Sequence, residues 1–412
     1  MISRELCELV FQRAITACNP QHMVAAALAR IGVVPGRRFA IAVGKSALAM
    51  ARGIGEVERG LAVTVAIDGG ELPPGWTLVL GSHPVPDERS VAAGQAALAL
   101  ARATTKDDHL IVAISGGASS LIEVPQTTLA ELTTTTSAVM AAGAPIDELN
   151  VVRGSLSEIK SGRLALACAA PIITLAASDV IGDQLEVIGS GPTIGPWLDG
   201  TERTVQYGSW LEDRRWAAIS ILERARIAVP ACLRTRIPWG TVQRRDRAEL
   251  VSPLSLVARE ARKELAAWKV QARGLDEVIH GDIASLACRL AKRAGNGPFV
   301  GYGEPTIRLP EDHGVGGRAQ QLALELAKYL RGSSHGAFVA GTDGKDGPAT
   351  IGRPSPAGAY VDGATWDRLA SLGIDGDRAI ARCDAGPVLD AVRSLFVSGP
   401  TGINHADLVV VG

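Results

Sequence analysis

The sequence predicts an α/β protein of two domains, the first built on a doubly wound parallel sheet. Three observations carry this expectation. Short unbroken apolar runs, such as FAIAV (39–43) and LIVAI (110–114), alternate with Ala-rich helical stretches; strands apolar on both faces belong to parallel sheets covered by helices. The runs empty into glycine, serine or charge, at Gly44-Lys45, Ser82-His83-Pro84, Ser115-Gly116-Gly117, Ser178-Asp179, Gly303-Glu304 and Gly341-Thr342-Asp343. Open α/β sheets bind ligands beyond the carboxyl ends of their strands, so these ends, spread over two domains, point to one cleft between them. Finally, 412 residues exceed one ordinary core and ask for two.

In chain order, residues 3–31 read as one or two amphipathic helices, 39–44 as a buried strand and 45–56 as an Ala-rich helix. Strands are expected at Leu61–Asp68 and Trp76–Ser82, then a helix over Asp87–Ala103 opened by an acidic N-cap. LIVAISGGASSL (110–121) reads as a buried strand emptying into a turn whose backbone N–H groups, with the positive end of the next helix dipole, suit a phosphate or carboxylate. A helix near 127–143 and a strand at Pro171–Ser178 follow. From 201 to 250 the chain is charged and Trp-containing without a clear strand. The domain passage is placed there, giving domains 1–240 and 241–412. A second α/β set then shows strands near 299–309, 337–344, 394–399 and 407–412, with the helix GRAQQLALELAKYL (317–330) between the first two. Ser190-Gly191-Pro192-Thr193 recurs as Ser398-Gly399-Pro400-Thr401, an internal echo consistent with related halves.

Composition excludes several classes. A hydrophobic fraction of 47% with 21% charged residues describes a soluble globular chain, and a net charge of -1 leaves no field to gather nucleic acid. No apolar run reaches the ~20 residues of a membrane span, and the N-terminus lacks a signal-peptide core; a cytoplasmic protein is expected. Six scattered cysteines form neither a zinc pair nor a disulfide framework.

Familiar motifs fail on inspection. Gly44-Lys45-Ser46 resembles the tail of a P-loop, but the required glycine is Phe39. No G-x-G-x-x-G follows the first strand, which argues against a nicotinamide-binding half. Ser157-Glu158-Ile159-Lys160 matches S-x-x-K without its companion motifs. Phosphoryl transfer asks for groups that hold phosphates, carboxylates for Mg2+ and a group that orients the attacking hydroxyl. The chain offers glycine turns at 115–117 and 314–317, the cations Lys45, Arg153, Lys160 and Arg318, and Asp179, Asp183, Asp343 and Asp346. Arg318 falls at a helix N-terminus, where a cation opposes the dipole and invites an anionic ligand. His83 is a rigid loop residue or a proton carrier, and Asp179 and Asp343 are N-caps or ligands.

Taken together, VGKSALAMA (43–51), GSHPVPDERS (81–90), ISGGASSL (114–121), LNVVRGSLSEIKSGRLA (149–165), SDVIGD and IGSGPT (178–193), GEPT (303–306), GVGGRAQQLAL (314–324), GTDGKDGP (341–348) and GPTGINHADL (399–408) resemble the class II glycerate kinases, whose C-terminal half is the MOFRL domain. The resemblance implies an N-terminal Rossmann-like domain, a C-terminal α/β MOFRL-type domain and an active site in the cleft between them. It implies ATP- and Mg2+-dependent phosphorylation of the 2-hydroxyl of D-glycerate, with another sugar acid as the competing acceptor. A hydroxypyruvate reductase using NAD(P)H and a catalytically silent ligand-binding paralogue are the two competing functions from outside the kinases.

By position, Lys45, Arg318 and Asp179 would be catalytic. Ser115, Gly116, Gly117, Ser119, Ser120, Arg153, Lys160, His83, Gly316 and Gly317 would bind substrate or phosphate. Ser190, Gly191, Thr193, Glu304, Asp343 and Asn404 would bind nucleotide, and Asp179 and Asp183 the metal. A small-molecule acid and a nucleotide are the expected partners, with no nucleic acid or membrane and with a homodimer left open. The chain departs from the family pattern in places. V-R-K-H-L-S-x-I-K-G-G is here Val152-Arg153-Gly154-Ser155 onward, without the Lys and His, and G-G-R-N-Q-E has become Gly316-Gly317-Arg318-Ala319-Gln320-Gln321. G-T-N-V-N-D reads Gly402-Ile403-Asn404-His405-Ala406-Asp407, and IGPWLDGTER (194–203) replaces a short Asp/Pro/Thr segment.

Overall fold

A computed structural model of the chain describes residues 2–32, 35–67, 69–198, 203–238, 240–275, 278–348 and 354–412. The chain divides into two units, Pro20–Ser252 and Met1–Asn19 together with Pro253–Gly412.

The first unit carries a six-stranded sheet of β1 (Arg38–Val43), β2 (Arg59–Thr64), β3 (Trp76–Leu80), β4 (His109–Ile114), β5 (Ile172–Ala177) and, after the ribbon β6 (Arg203–Gln206) and β7 (Thr241–Arg244), β8 (Arg247–Ser252). Its order is β3-β2-β1-β4-β5-β8, with every pairing parallel. Alternation along the strands sends Ile41, Val43, Val112 and Ile114 to a core shared with the Glu88–Arg102 helix. Ala40, Ala42, Ile111 and Ala113 go to an opposite core with Met50 and Val24. Two buried faces explain the unbroken apolar runs. The expected acidic cap is Asp87, whose carboxylate accepts from Arg89 N and Ser90 N. Strand order reverses between β1 and β4, which puts the loops after these two strands at the topological switch point.

The second unit holds β9 (Arg273–Gly274), β10 (Ile279–Asp282), β11 (Phe299–Thr306), β12 (Gly336–Gly341), β13 (Gly358–Asp362), β14 (Leu395–Phe396) and β15 (Asp407–Val411) in the order β10-β11-β15-β12-β13-β14, with β9 also on β11. This sheet is mixed: β11, β15, β12, β13 and β14 pair antiparallel in succession, and β9 and β10 join β11 in parallel. The two halves are therefore not topological repeats, and the Ser-Gly-Pro-Thr echo joins unlike frames.

Two expectations are corrected. The boundary at 240/241 falls at 252/253, because residues 247–252 form β8. RAELVS hid its strand behind charge, which an edge position tolerates. The N-terminal Arg4–Ala17 helix, assigned by position to the first domain, packs with the second unit instead. Phe11 meets Phe338 and Phe396 edge to face at 5.9 and 5.1 Å, and Tyr360 Oη donates to Ile2 O at 2.9 Å. The charged passage also contains an 18-residue helix, Tyr207–Arg224. Of the divergent 194–203 segment, Trp197 is a fully buried core residue against Trp210; residues 199–202 lie outside the described residues, as does Asp68 at the end of the second expected strand.

Candidate functional site

The loops after β1 and β4 are fastened to each other. Lys45 N donates to Gly116 O at 2.9 Å and Ser46 N to Ser115 Oγ at 3.1 Å. Gly44 (φ 127°) lies so close that a Cβ there would sit 2.1 Å from Ser115 Oγ; any other residue would force the loops apart. Gly117 is left-handed at φ 87°. Ser120 Oγ donates to Pro84 O at 2.7 Å, bringing the cis His83-Pro84 loop onto the same turn. Ser119 Oγ lies 3.0 Å from Ser190 Oγ, which in turn bonds Asn150 Oδ1 at 3.0 Å. The serine hydroxyls thus hold the turn in shape. Among the described residues the N–H groups of Gly116, Gly117 and Ser119 have no backbone acceptor, so they remain for a ligand.

Around that turn the structure gathers Lys45, His83 and Asp179. A Cβ at Gly117 would lie 3.1 Å from His83 Cδ2 and 3.6 Å from Lys45 Cγ; one at Gly116 would lie 2.2 Å from Asp179 Oδ2. The glycines are what let these side chains close in. Lys45 is exposed, and no carboxylate of the described residues forms an ion pair with it. Burial first, and the nearby Lys45 charge second, hold the His83 imidazole below its ordinary pKa. A neutral ring beside an ammonium is suited to accept a proton.

Other predicted groups lie elsewhere in chemistry. Lys160 is 1% exposed and ion-paired with the equally buried Glu123, whose other oxygen takes the Ser157 hydroxyl. It is a buried structural cation, not a phosphate ligand, and no local signal marks it, because Glu123 lies 37 residues away. Thr193 is fully buried with its hydroxyl 2.8 Å from that of Thr174, which removes it from nucleotide contact. Gly191 (φ 55°) and Ser190 (φ 58°) shape the turn that follows β5. Arg153 is half-buried with only Met140 Sδ near its guanidinium, at 4.0 Å. Asp183, at φ 55°, lies in the loop beyond Asp179. Among the described residues, no group of three or more His, Cys, Asp or Glu is arranged to hold a metal.

In the second unit Arg318 opens the Arg318–Leu330 helix, as expected. Its Nε donates to Asp407 Oδ2 at 2.9 Å and its Nη1 meets Glu304. The helix dipole is answered by Asp346, whose carboxylate accepts from Ala319 N at 3.0 Å and Gln320 N at 2.7 Å. Asp346, expected for metal or base, is thus a buried helix cap. The same holds for the GVGGR turn: a Cβ at Gly317 would meet Asp346 Oδ1 at 2.2 Å, and Val315 N is taken by Asp384. Gly316 and Gly317 therefore face the chain's own carboxylates rather than an open anion cradle. Burial pushes Asp407 up to about 7 despite the Arg318 guanidinium. Asp343 Oδ1 accepts from Lys345 N in a local turn, and Asn404 Oδ1 from Ala406 N; neither Asp343 nor Asp179 caps a helix. Sequence reasoning assigned Asp407 no role, since it lies 89 residues from Arg318.

A Rossmann-ordered parallel sheet with an unpaired lysine and open N–H groups at its switch point defines an α/β protein built to take an anion at that place. Comparison with known proteins agrees with this class. Residues 6–206 match the model of a domain of unknown function, DUF4147, and residues 299–407 that of the MOFRL family. A glycerate 2-kinase of Pyrococcus horikoshii is 31% identical over 92% of this chain and 87% of its own. A protein of Agrobacterium vitis named as a hydroxypyruvate reductase is 33% identical over 90% and 98%. The crystal structure of a glycerate kinase from Thermotoga maritima superposes with a TM-score of 0.86 at 27% identity, covering 99% of this chain and 98% of that one. The chain belongs to the glycerate 2-kinase family. No helix among the described residues is long and apolar enough to cross a membrane.

Proposed function

We propose that this chain is a kinase that uses ATP to phosphorylate D-glycerate at its 2-hydroxyl, acting in the cytoplasm on a small soluble acid. The observation that carries the reading is the switch-point turn, where Lys45 stands unpaired beside N–H groups that have no internal acceptor. An oxyanion there meets a cation and convergent dipoles in fixed positions, the arrangement that stabilises charge developing on a transferred phosphoryl group. His83, neutral because of burial and Lys45, accepts the proton of an attacking hydroxyl, and the glycines admit the ligand close to the backbone. Arg318, oriented by Asp407 and Glu304, keeps its planar donor set aligned for a second anionic group.

The donor set suits Mg2+, which asks for only one or two protein carboxylates beside phosphate oxygens and water. Asp179, held against Gly116, is the carboxylate that would hold it, with Asp183 in the same loop. When bound, Mg2+ neutralises phosphate charge. Ser190, Gly191, Glu304, Asp343 and Asn404 remain assigned to nucleotide.

The test is ADP release by the purified chain across D-glycerate, L-glycerate and longer sugar acids, with phosphorus NMR locating the phosphorylated hydroxyl. D-glycerate should give the fastest turnover and a 2-phosphate. Turnover with none of the acids would remove the kinase reading. Loss of nicotinamide absorbance with hydroxypyruvate would replace it by the reductase, for which the loop after β1 has no dinucleotide fingerprint.

A further inference from the structure

Two arginines of the first unit lie partly buried and close together without a counter-charge. Arg163, at the start of the short Arg163–Leu166 helix, gives its Nη1 only to carbonyls, Gly154 O at 2.8 Å and Lys160 O at 3.5 Å. Arg214, on the Tyr207–Arg224 helix, stacks 4.7 Å from the Trp210 ring centre, and its Nε is a buried donor with no acceptor among the described residues. No carboxylate of the described residues reaches ion-pair distance of either guanidinium; Glu158 and Glu186 act on them only through space. Burial first, and the charge of Arg214 second, bring the Arg163 guanidinium down to about 10. Carbonyls and a ring face orient a guanidinium, but they do not cancel its charge. Two like charges drawn together and partly out of water raise the energy of the fold unless something of opposite sign joins them.

The surroundings are arranged to keep the pair together. Ser155 Oγ donates to Arg214 O at 3.2 Å, and a Cβ at Gly154 would fall 2.1 Å from Ser161 Oγ. Gly154 and Ser155 are the positions where the family pattern carries Lys and His, so the small residues here make room for a pair of cations drawn from other segments. The pair is also tied to the switch-point turn. Ser161 N donates to Ser190 O at 3.0 Å and Gly162 N to Gly191 O at 2.8 Å, and Ser190 Oγ contacts Ser119 Oγ.

We propose that Arg163 and Arg214 form an oxyanion subsite that takes a carboxylate or phosphate group. A planar guanidinium pair matches either, with Arg214 Nε–H as the waiting donor.

Calorimetric titration of the full chain with potassium phosphate, D-glycerate and ADP separately, repeated on Arg214→Gln and Arg163→Gln, tests the proposal. At least one probe should bind the native chain and weaken roughly tenfold or more in Arg214→Gln, with partial recovery in Arg214→Lys. Loss confined to glycerate assigns the subsite to the carboxylate, and loss confined to ADP assigns it to the nucleotide. Loss for phosphate alone assigns it to free phosphate. The melting temperature of Arg214→Gln should hold or rise, because a crowded charge is removed. Unchanged binding of every probe, with a lowered melting temperature, overturns the subsite and makes Arg214 structural. Turnover of ATP in the native chain separates the two readings. Turnover with unaltered binding in the variants leaves the kinase standing alone. Phosphate binding lost in Arg214→Gln without turnover leaves the subsite standing alone.

Discussion

The turn after β4 and the start of the Arg318–Leu330 helix are both places where glycine meets a cation, yet they treat charge in opposite ways. At the turn the protein withholds its own carboxylates: Lys45 is exposed and unpaired, and the serine hydroxyls are spent on loop-to-loop bonds. At the helix start it supplies them, with Asp407 and Glu304 on Arg318 and Asp346 on the first N–H groups. An unpaired cation offers its full charge to an incoming anion. A cation held by two carboxylates offers direction instead, since much of its charge is already answered.

The contrast is broken or sharpened most strongly at Lys45. Lys45→Ala should lower kcat/KM by roughly a thousandfold while stability stays within about 1 kcal/mol of the native chain. Urea unfolding alongside steady-state kinetics measures both. A large stability loss with normal turnover would hand Lys45 a structural role and dissolve the comparison. Lys160 calibrates the other extreme. Lys160→Met leaves Glu123 buried and unpaired and should cost ~3–5 kcal/mol in the same unfolding experiment.

Asp407 sharpens the second region. Its folded pKa of about 7 exceeds the ~3.9 of an unfolded aspartate. The folded state therefore holds an extra proton between those values, and the associated stability, complete below the lower one, is lost as pH rises through the upper. Asp407→Asn has no such proton, so its melting temperature relative to the native chain should climb between about pH 5 and 8; a flat difference would reject the raised pKa. The smallest effect is at His83. Part of its lowered pKa comes from Lys45, so Lys45→Met should move the imidazole NMR titration upward, and no movement would separate the two side chains.

Much of this was legible in the primary structure for identifiable reasons. Parallel strands covered on both faces must be apolar throughout, so β1, β4 and β5 announce themselves. β8 does not, since an edge strand carries Arg247 and Glu249 without penalty. Gly44, Gly116 and Gly117 signalled a turn that only small residues fit, and Lys45 followed a buried strand directly. The failures share one cause. Lys160 and Thr193 have the chemistry of ligand-binding groups, and only their distant partners Glu123 and Thr174 show that this chemistry is used internally.

The sequence by itself determined the parallel sheet, the anion-suited turn after β4 and Arg318 at a helix start, because periodicity, glycine and helix polarity are local properties of the chain. Tertiary structure alone decided which charges are bare and which are answered. It also sent the N-terminal helix to the second unit through Phe11, and it brought Arg163 and Arg214 together. Burial and ion pairing join residues tens of positions apart, and no local pattern encodes where such partners meet.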